Sequence, residues 1–404
     1  MELTSKFNRA KVFLEELDSV TLKQIQDICN LEHTKGSKLR FMPDCHAGKG
    51  AVIGTTMTLH DTVVPNFVGV DIGCGMLTIN LTKAMRSKLG HLNLDELDTF
   101  IHRNIRTTAL RKEPHALKDE IDLAKLKCVK KVDIERAYFQ IGTLGSGNHF
   151  IEVDKDEKTG ELYLIIHSGS RHLGTEVCGF YQKRGFIQRK EEFNALREEW
   201  LKNVPQSEKE QALKQYDKEQ GDLSLLKIWQ GFCTGDVFDD YIHDMAITQH
   251  FASLNRQAIA TDILASMGLE LTKDVCFDTI HNYIDVEHMI LRKGAVSSQL
   301  DEILLIPLNM RDGSFICKGK GNPDWNYSAP HGAGRRMSRF EAKEKISLEE
   351  YKKTMEGIKS TTVNDSTIDE APQAYKDTSL ILNHIRDTVE VISWLKPVYN
   401  FKGA

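Results

Sequence analysis

The stretch GVDIGCGM, Gly69 to Met76, sets a carboxylate, Asp71, and a thiol, Cys74, among glycines. Glycine lets the backbone approach a ligand closely or adopt positive φ, and both side chains are metal ligands when ionised. Further along stand His149 in GTLGSGNHFIE, His167 in LIIHSGS and His281 in FDTIHNYIDVEH. One such histidine is more often a hydrogen-bonded structural residue, and one buried cysteine more often a small apolar one. Taken together, Asp71, Cys74, His149, His167 and His281 make a mixed-softness donor set suited to a pair of first-row divalent ions, with a thiolate able to bridge them.

A fourth histidine, His331, has a different neighbourhood, APHGAGRRMSR. Ser338 and Glu341 fit a capping box, which places the HGAG loop just before a helix N-terminus. Free N–H groups there, with Arg335, Arg336 and Arg339, favour a phosphate; an ordinary glycine-rich loop before a capped helix fits the same residues. A histidine beside phosphate donors and metals could attack the α-phosphate of a nucleoside triphosphate and form a phosphoramidate. The same ligands could instead activate water in a metal-dependent phosphoesterase, and residue chemistry alone leaves both readings open.

These residues need elements to position them. Short apolar runs broken by glycine in the first 80 residues predict strands and tight loops, and ELYLIIHSGS predicts a buried strand that delivers His167 to a turn. Helical character is expected over about Asn93–Ala137, where the basic run with Arg103, Arg106, Arg111 and Lys112 reads as a solvated face. Exposed helices are expected over Gln182–Leu223 with a break near Pro205, and a packed helix over Asp239–Met267. RKGAVSSQLDEILLIPLNM returns to strands and turns, followed by helices around Lys343–Lys359 and Leu380–Leu395. The fold class expected is mixed α/β (α+β), one domain over 1–404 with a β-sheet core and surrounding helices, because the glycine- and histidine-rich loops are spread along most of the chain.

A net charge of −5 over 404 residues excludes a protein that coats nucleic acid by bulk positive charge, leaving a local basic cleft. The eight cysteines are dispersed with no CxxC pair, so reduced thiols are expected. No basic-then-apolar leader opens the sequence and no stretch approaches ~18 uninterrupted apolar residues, so a cytoplasmic protein is expected.

The motifs MPDCHAGKG, GVDIGCGM, GTLGSGNHFIE, HSGSR, HNY, RKGA, HGAGRRMSR and AYKD occur in this order. In that combination, over almost its whole length, the chain resembles the RtcB-type RNA ligases. The resemblance implies an enzyme using GTP and two Mn²⁺ ions to join RNA 2′,3′-cyclic phosphate or 3′-phosphate ends to 5′-hydroxyl ends, acting as a monomer. It implies that Asp71, Cys74, His149, His167 and His281 are the metal ligands with Cys74 bridging, and that His331 is the guanylylated nucleophile. Asn148, Phe150, Glu152, His281, Asn282, Ser314, His331, Gly332, Ala333, Gly334, Tyr375 and Lys402 are then expected around the nucleotide, with Phe150 stacking on guanine and Glu152 accepting from N1–H and the exocyclic amine. Arg171 and Arg335 are implied as holders of RNA phosphate. The implied path passes GMP from GTP to His331, then to the RNA 3′-phosphate, from which the 5′-hydroxyl displaces it. The chain departs from the family pattern at Leu308 and Asn309 in PLNM and at His172 in HSGSRHLG. The alternatives are a guanylyltransferase that only caps 3′-phosphate ends, a phosphoesterase, or a catalytically silent RNA-binding protein.

Overall fold

The computed structural model describes residues 1–86, 92–220 and 231–403. The chain runs β1 (Glu2–Thr4), β2 (Arg9–Val12), α1 (Ser19–Cys29), β3 (Leu39–His46), β4 (Ile53–Thr58), β5 (Thr62–Val63), α2 (Pro65–Val68), β6 (Gly75–Asn80), α3 (Leu81–Met85), α4 (Leu94–Asn104) and α5 (Ile134–Gln140). It continues through β7 (Phe150–Asp156), β8 (Leu162–Ser168), α6 (Arg171–Leu201), α7 (Lys209–Gln220), β9 (Cys233–Thr234), α8 (Gly235–Ser266), β10 (Cys276–Ile280), β11 (Asn282–Asp285), β12 (Ile290–Lys293) and β13 (Ala295–Ser297). Last come β14 (Ile303–Asn309), β15 (Gly313–Gly319), β16 (Ser328–Pro330), α9 (Arg339–Lys345), α10 (Leu348–Thr354), α11 (Thr378–His384) and β17 (Val389–Lys402). This is the mixed α/β class expected from the sequence.

A seven-stranded sheet, in the order β10-β6-β8-β7-β17-β15-β14, carries the site. Its outermost strands meet where Leu305 N donates to Thr279 Oγ1 (3.1 Å), so the sheet curls on itself. Side chains alternate across it. Leu77, Ile79, Ile151, Val153, Leu164 and Ile166 face outward and pack with Leu97 and Ile101 of α4 and Ile259 and Ile263 of α8. Met76, Phe150, Ile165, Leu305, Ile316 and Leu395 fill the inner face. A six-stranded sheet, β1-β2-β3-β4-β12-β11, stands beside it and holds the loop that follows β3.

The helix α8 is the packed helix expected over Asp239–Met267, buried around much of its circumference. The exposed pair α6 and α7 matches the expectation around the break at Pro205, although α6 starts earlier, at Arg171; residues 221–223 of that expectation lie outside the described residues.

Four expectations need correction. Between Asn93 and Ala137 only α4 and α5 are α-helical; 3₁₀ turns at Ala116–Glu120, Leu123–Lys125 and Val129–Lys131 connect them, and Arg111 is held by Asp262 (2.7 Å) instead of facing solvent. The early region is not purely strands and loops, since Asp18 caps the 11-residue α1 through Val20 N and Thr21 N. Nor is Leu380–Leu395 one helix: α11 ends at His384, and the alternating, β-branched run VEVISWLKPVYNFK pairs as β17 between β7 and β15. Lys343–Lys359 divides into α9 and α10, each opened by a serine capping box, and α10 ends at Thr354.

Candidate active site

The metal-ligand candidates sit on neighbouring strand ends. Asp71 lies in the turn before β6, Cys74 at the foot of β6, His167 near the end of β8, His149 just before β7 and His281 just after β10. Because β10, β6, β8 and β7 are consecutive in the sheet, these ends converge. Cys74, His167 and His281 form one potential metal triad and Asp71, Cys74 and His149 a second, with Cys74 common to both. Cys74 Sγ is 3.3 Å from His167 Nε2 and 3.5 Å from His149 Nε2; His149 Nε2 is 3.1 Å from Asp71 Oδ2, and His167 Nε2 is 3.0 Å from His281 Nε2. Two triads sharing one sulfur could hold a pair of first-row divalent ions bridged by a thiolate.

The surroundings orient these ligands. His167 Nδ1 faces the Asn148 carbonyl at 3.1 Å; since a carbonyl can only accept, the proton is on Nδ1 and Nε2 presents a lone pair. Ser170 N donates to Asp71 Oδ1 (2.9 Å), leaving Oδ2 toward His149. A Cβ on Gly169 would collide with the Asp71 carboxylate, so this position requires glycine. The next turn is strained: Arg171 has φ of 55°, and its Nε donates to Thr143 Oγ1 (3.3 Å) while Nη1 lies 3.4 Å from His149 Nδ1. Below the cluster, the fully buried Arg256 of α8 pairs with Asp278 (2.6 Å) and donates to Gly73 O (2.7 Å) and Ser168 O (2.9 Å), tying the Cys74 and His167 loops together.

Burial holds the imidazoles of His167 and His281 well below the usual histidine range, helped by neighbouring histidines, which favours the neutral form that a metal ligand requires. Burial pushes Asp71 up, but the hydrogen bond and charge of His149, with Arg171 beside it, hold its carboxyl well below the ordinary range. Burial and the Asp71 charge raise the Cys74 thiol far above its ordinary value. Neutral imidazoles, an ionised carboxylate and a thiol that a cation would deprotonate fit a divalent metal pair.

Beside the cluster, the His331 ring lies 4.9 Å from that of His281. Its Nδ1 is 2.6 Å from Oδ2 of Asp44, a residue with no solvent exposure on β3. With Asp44 accepting, the proton is on Nδ1 and Nε2 presents its lone pair. Asp44 is itself held in place: Lys376 donates to Pro43 O (3.2 Å) and Cys45 O (2.8 Å) on either side, and Gly334, at φ 71°, packs where a Cβ would strike the Asp44 backbone.

Both features open on a cavity of about 1280 Å³, large enough for a nucleotide. Asn148, Phe150, Glu152, His167, His281, Asn282, His331, Gly332, Ala333, Gly334, Arg335, Tyr375 and Lys402 line it. Asn282 bridges Asp71 O and Gly294 N. Lys402 Nζ sits 5.1 Å over the Phe150 ring and 3.2 Å from Glu370 Oε2, and Tyr375 OH donates to the same Glu370 oxygen (2.5 Å). Arg335 is 3.3 Å from Glu370 Oε1. Burial pushes Glu370 up, yet Lys402, Arg339 and Arg335 together hold it below the ordinary range.

Of the residues singled out in the sequence, Asp71, Cys74 and His149 form the inner wall behind the cavity. Arg171 lies on the metal side of the site, away from the cavity lining; Arg335 reaches the cavity but is engaged by Glu370. Ser314 is buried one residue behind the lining Gly313, its Oγ without a hydrogen-bond partner among the described residues. Leu308 and Asn309 line the cavity beside Met310. Asp44, Arg256 and Glu370 were not anticipated. Asp44 stands inside the quoted MPDCHAGKG, and Arg256 interrupts the apolar surface of α8, a signal for a buried, paired charge.

Fold and site define a mixed α/β protein with a shared-thiol metal cluster beside a carboxylate-oriented histidine. Residues 24–121 and 108–403 match the family described as tRNA-splicing ligase RtcB, and the chain belongs to that family. It is 32% identical over 397 residues to the RNA-splicing ligase RtcB of Escherichia coli K12, covering 90% of each chain. It is 30% identical over 401 residues to RNA-splicing ligase RtcB1 of Escherichia coli ATCC 25922, again over 90% of each, and 27% identical over 468 residues to tRNA-splicing ligase RtcB of Aeropyrum pernix, over 95% of this chain and 91% of the relative. Among the described residues no helix is long and apolar enough to cross a membrane.

Proposed function

We propose that this protein is an RNA ligase that uses GTP to join RNA 3′-phosphate or 2′,3′-cyclic phosphate ends to 5′-hydroxyl ends, with His331 as the nucleophile that carries GMP. The observation that supports this most is the Asp44–His331 pair, 2.6 Å apart at the edge of a nucleotide-sized cavity. The Nε2 lone pair attacks the α-phosphorus of GTP, the P–N bond forms as pyrophosphate leaves, and Asp44 stabilises the positive charge that develops on the ring. Phe150 offers a face for guanine, Glu152 an acceptor for its N1–H and amine, and Tyr375 and Lys402 close the base pocket around Glu370.

Asp71, Cys74, His149, His167 and His281 would hold two divalent ions, which we assign as Mn²⁺. When bound, the ions supply charge neutralisation at the phosphates. A 2′,3′-cyclic phosphate is first opened by water to a 3′-phosphate and a 2′-hydroxyl; the RNA 3′-phosphate then takes GMP from His331, and the 5′-hydroxyl of the second strand displaces GMP to seal the junction. Each step is an in-line displacement in which positioning carries much of the catalysis. Arg171 and Arg335 are the proposed guides for RNA phosphate, acting in a monomeric, cytoplasmic enzyme built as one domain.

Incubation with GTP, Mn²⁺ and RNA bearing a 3′-phosphate and a 5′-hydroxyl tests the proposal. A sealed product is expected. Accumulation of an RNA-3′-GMP cap without sealing would reduce the protein to an end-capping enzyme, and phosphate release without GTP to a phosphoesterase.

A further inference from the structure

The inner face of the curled sheet holds a carboxyl that no step above uses. Asp154 stands two residues after Glu152 on the same face of β7, with no solvent exposure, and no donor among the described residues reaches either of its oxygens. The two carboxyl groups are in hydrogen-bond contact. Ionised carboxylates only accept, so that contact requires a proton on one of them.

The donors around the pair decide which one carries it. Asn400 Nδ2 donates to Glu152 Oε2 (2.9 Å), and the Lys402 ammonium, held by Glu370 and the Asn148 carbonyl, favours negative charge on Glu152. Asp154 has neither. Its register partner on β17 is Pro397, which has no N–H to offer, and Tyr163 opposite it on β8 has its hydroxyl committed to Glu161 and Asn80. Asp156, next on the same face, is satisfied by Ser393 and the backbone of Lys158, and the facing wall of Leu305, Ile316 and Leu395 is apolar. Ionising Asp154 would leave a buried charge with no donor, whereas charge on Glu152 meets a donor and a cation. Glu152 Oε1, which no donor from any other residue reaches, is the acceptor left for the Asp154 proton.

A carboxylate meets guanine as an acceptor for N1–H and the exocyclic amine, whereas a protonated carboxyl also offers a donor, which suits adenine N1. We propose that Asp154 is a neutral carboxylic acid that donates its O–H to Glu152 Oε1, fixing Glu152 as the acceptor-only carboxylate that selects guanine. The proton stays on Asp154 in the free and the nucleotide-bound protein. Asp154 is thus a positioning residue for base selection, and the inference rests on Glu152 reading the guanine.

Infrared spectroscopy at pH 7.5 of protein carrying aspartate labelled with ¹³C at its side-chain carboxyl reads the proton without any substitution. One protonated-carboxyl band is expected that shifts with the label, persists in Glu152→Gln and remains when GMP binds. A spectrum without that band, or a band that ignores the aspartate label, overturns the proposal. Binding of GMP and AMP to variants tests the positioning role. Asp154→Asn keeps a donor of the same shape and is expected to bind GMP within about threefold of wild type, whereas Asp154→Leu is expected to bind it about 10- to 100-fold more weakly, with less preference over AMP. An Asn variant weakened about tenfold or more, or a Leu variant as tight as wild type, overturns that role. Should the Leu variant not fold, the labelled spectrum and the Asn variant still decide. If Glu152→Gln keeps its preference for GMP over AMP, the base-reading assignment itself fails, and the labelled band reports separately on where the proton sits.

Discussion

Asp44→Asn isolates the step on which the proposed chemistry turns. In the wild type the buried Asp44 carboxylate accepts from His331 Nδ1 at 2.6 Å, and among the described residues its other oxygen, Oδ1, has no hydrogen-bond partner, so its side-chain hydrogen bonding is spent on this imidazole. An asparagine of the same shape presents either an amide oxygen, which keeps the tautomer without the charge, or an amide N–H, which moves the ring proton to Nε2 and blocks attack. Replacing the carboxylate behind a nucleophilic or basic imidazole by its amide costs up to about 10⁴ in rate where the wrong tautomer results, and each 1.36 kcal/mol of barrier is about tenfold in rate. The rate of His331 guanylylation is therefore expected to fall about 10²- to 10⁴-fold. The assay is single-turnover transfer from α-labelled GTP to protein in Mn²⁺, with thermal melting to verify that the variant is folded. A folded Asp44→Asn protein labelled within about threefold of the wild-type rate would refute the reasoning.

Other outcomes follow from the same geometry. Cys74→Ala should reduce metal content at both positions and Asp71→Ala mainly at one, as read by elemental analysis; equal content in wild type and Cys74→Ala would refute a bridging thiolate. Arg256→Met leaves the buried Gly73 and Ser168 carbonyls without their donor, at about 1–3 kcal/mol each, so a loss of about 2–6 kcal/mol in stability is expected by denaturant titration. His33, packed 4.7 Å from the ring of Phe232, is lowered by burial and by Arg189 from 6.5 to about 4. Protons thus bind the unfolded imidazole from pH 6.5 down but the folded one only near 4, so stability falls as the pH is lowered from 6.5 to about 4, by up to ~1.4 kcal/mol per unit. His33→Leu should flatten that part of the profile, and an unchanged slope would contradict the assignment.

That Asp71, Cys74, His149, His167 and His281 come together was legible because these candidate ligands lie in or beside glycine- or asparagine-containing loops at strand ends, where residue type and neighbours advertise chemistry. Burial of the run ending at His167 was legible too, since an unbroken apolar stretch needs cover on both faces. The partner of His331 was not: Asp44 is 287 residues away, and only the packing of β3 against the HGAG loop joins them. Arg256 and Glu370 share that difficulty, as their meaning lies in backbone carbonyls and cations supplied by distant segments. At Leu380–Leu395, apolar residues at helical spacing outweighed β-branched alternation in the reading, whereas pairing on both sides of β17 decided the fold.

In the proposed reaction every transfer passes through a GMP carried by His331. The most direct measurement of this is peptide-level mass spectrometry of the protein incubated with GTP and Mn²⁺, worked up at neutral to alkaline pH to preserve a phosphoramidate. A GMP adduct confined to His331, and absent from His331→Ala, is the expected result; an adduct on another residue, or metal-loaded protein that seals RNA with His331 never modified, would contradict the account.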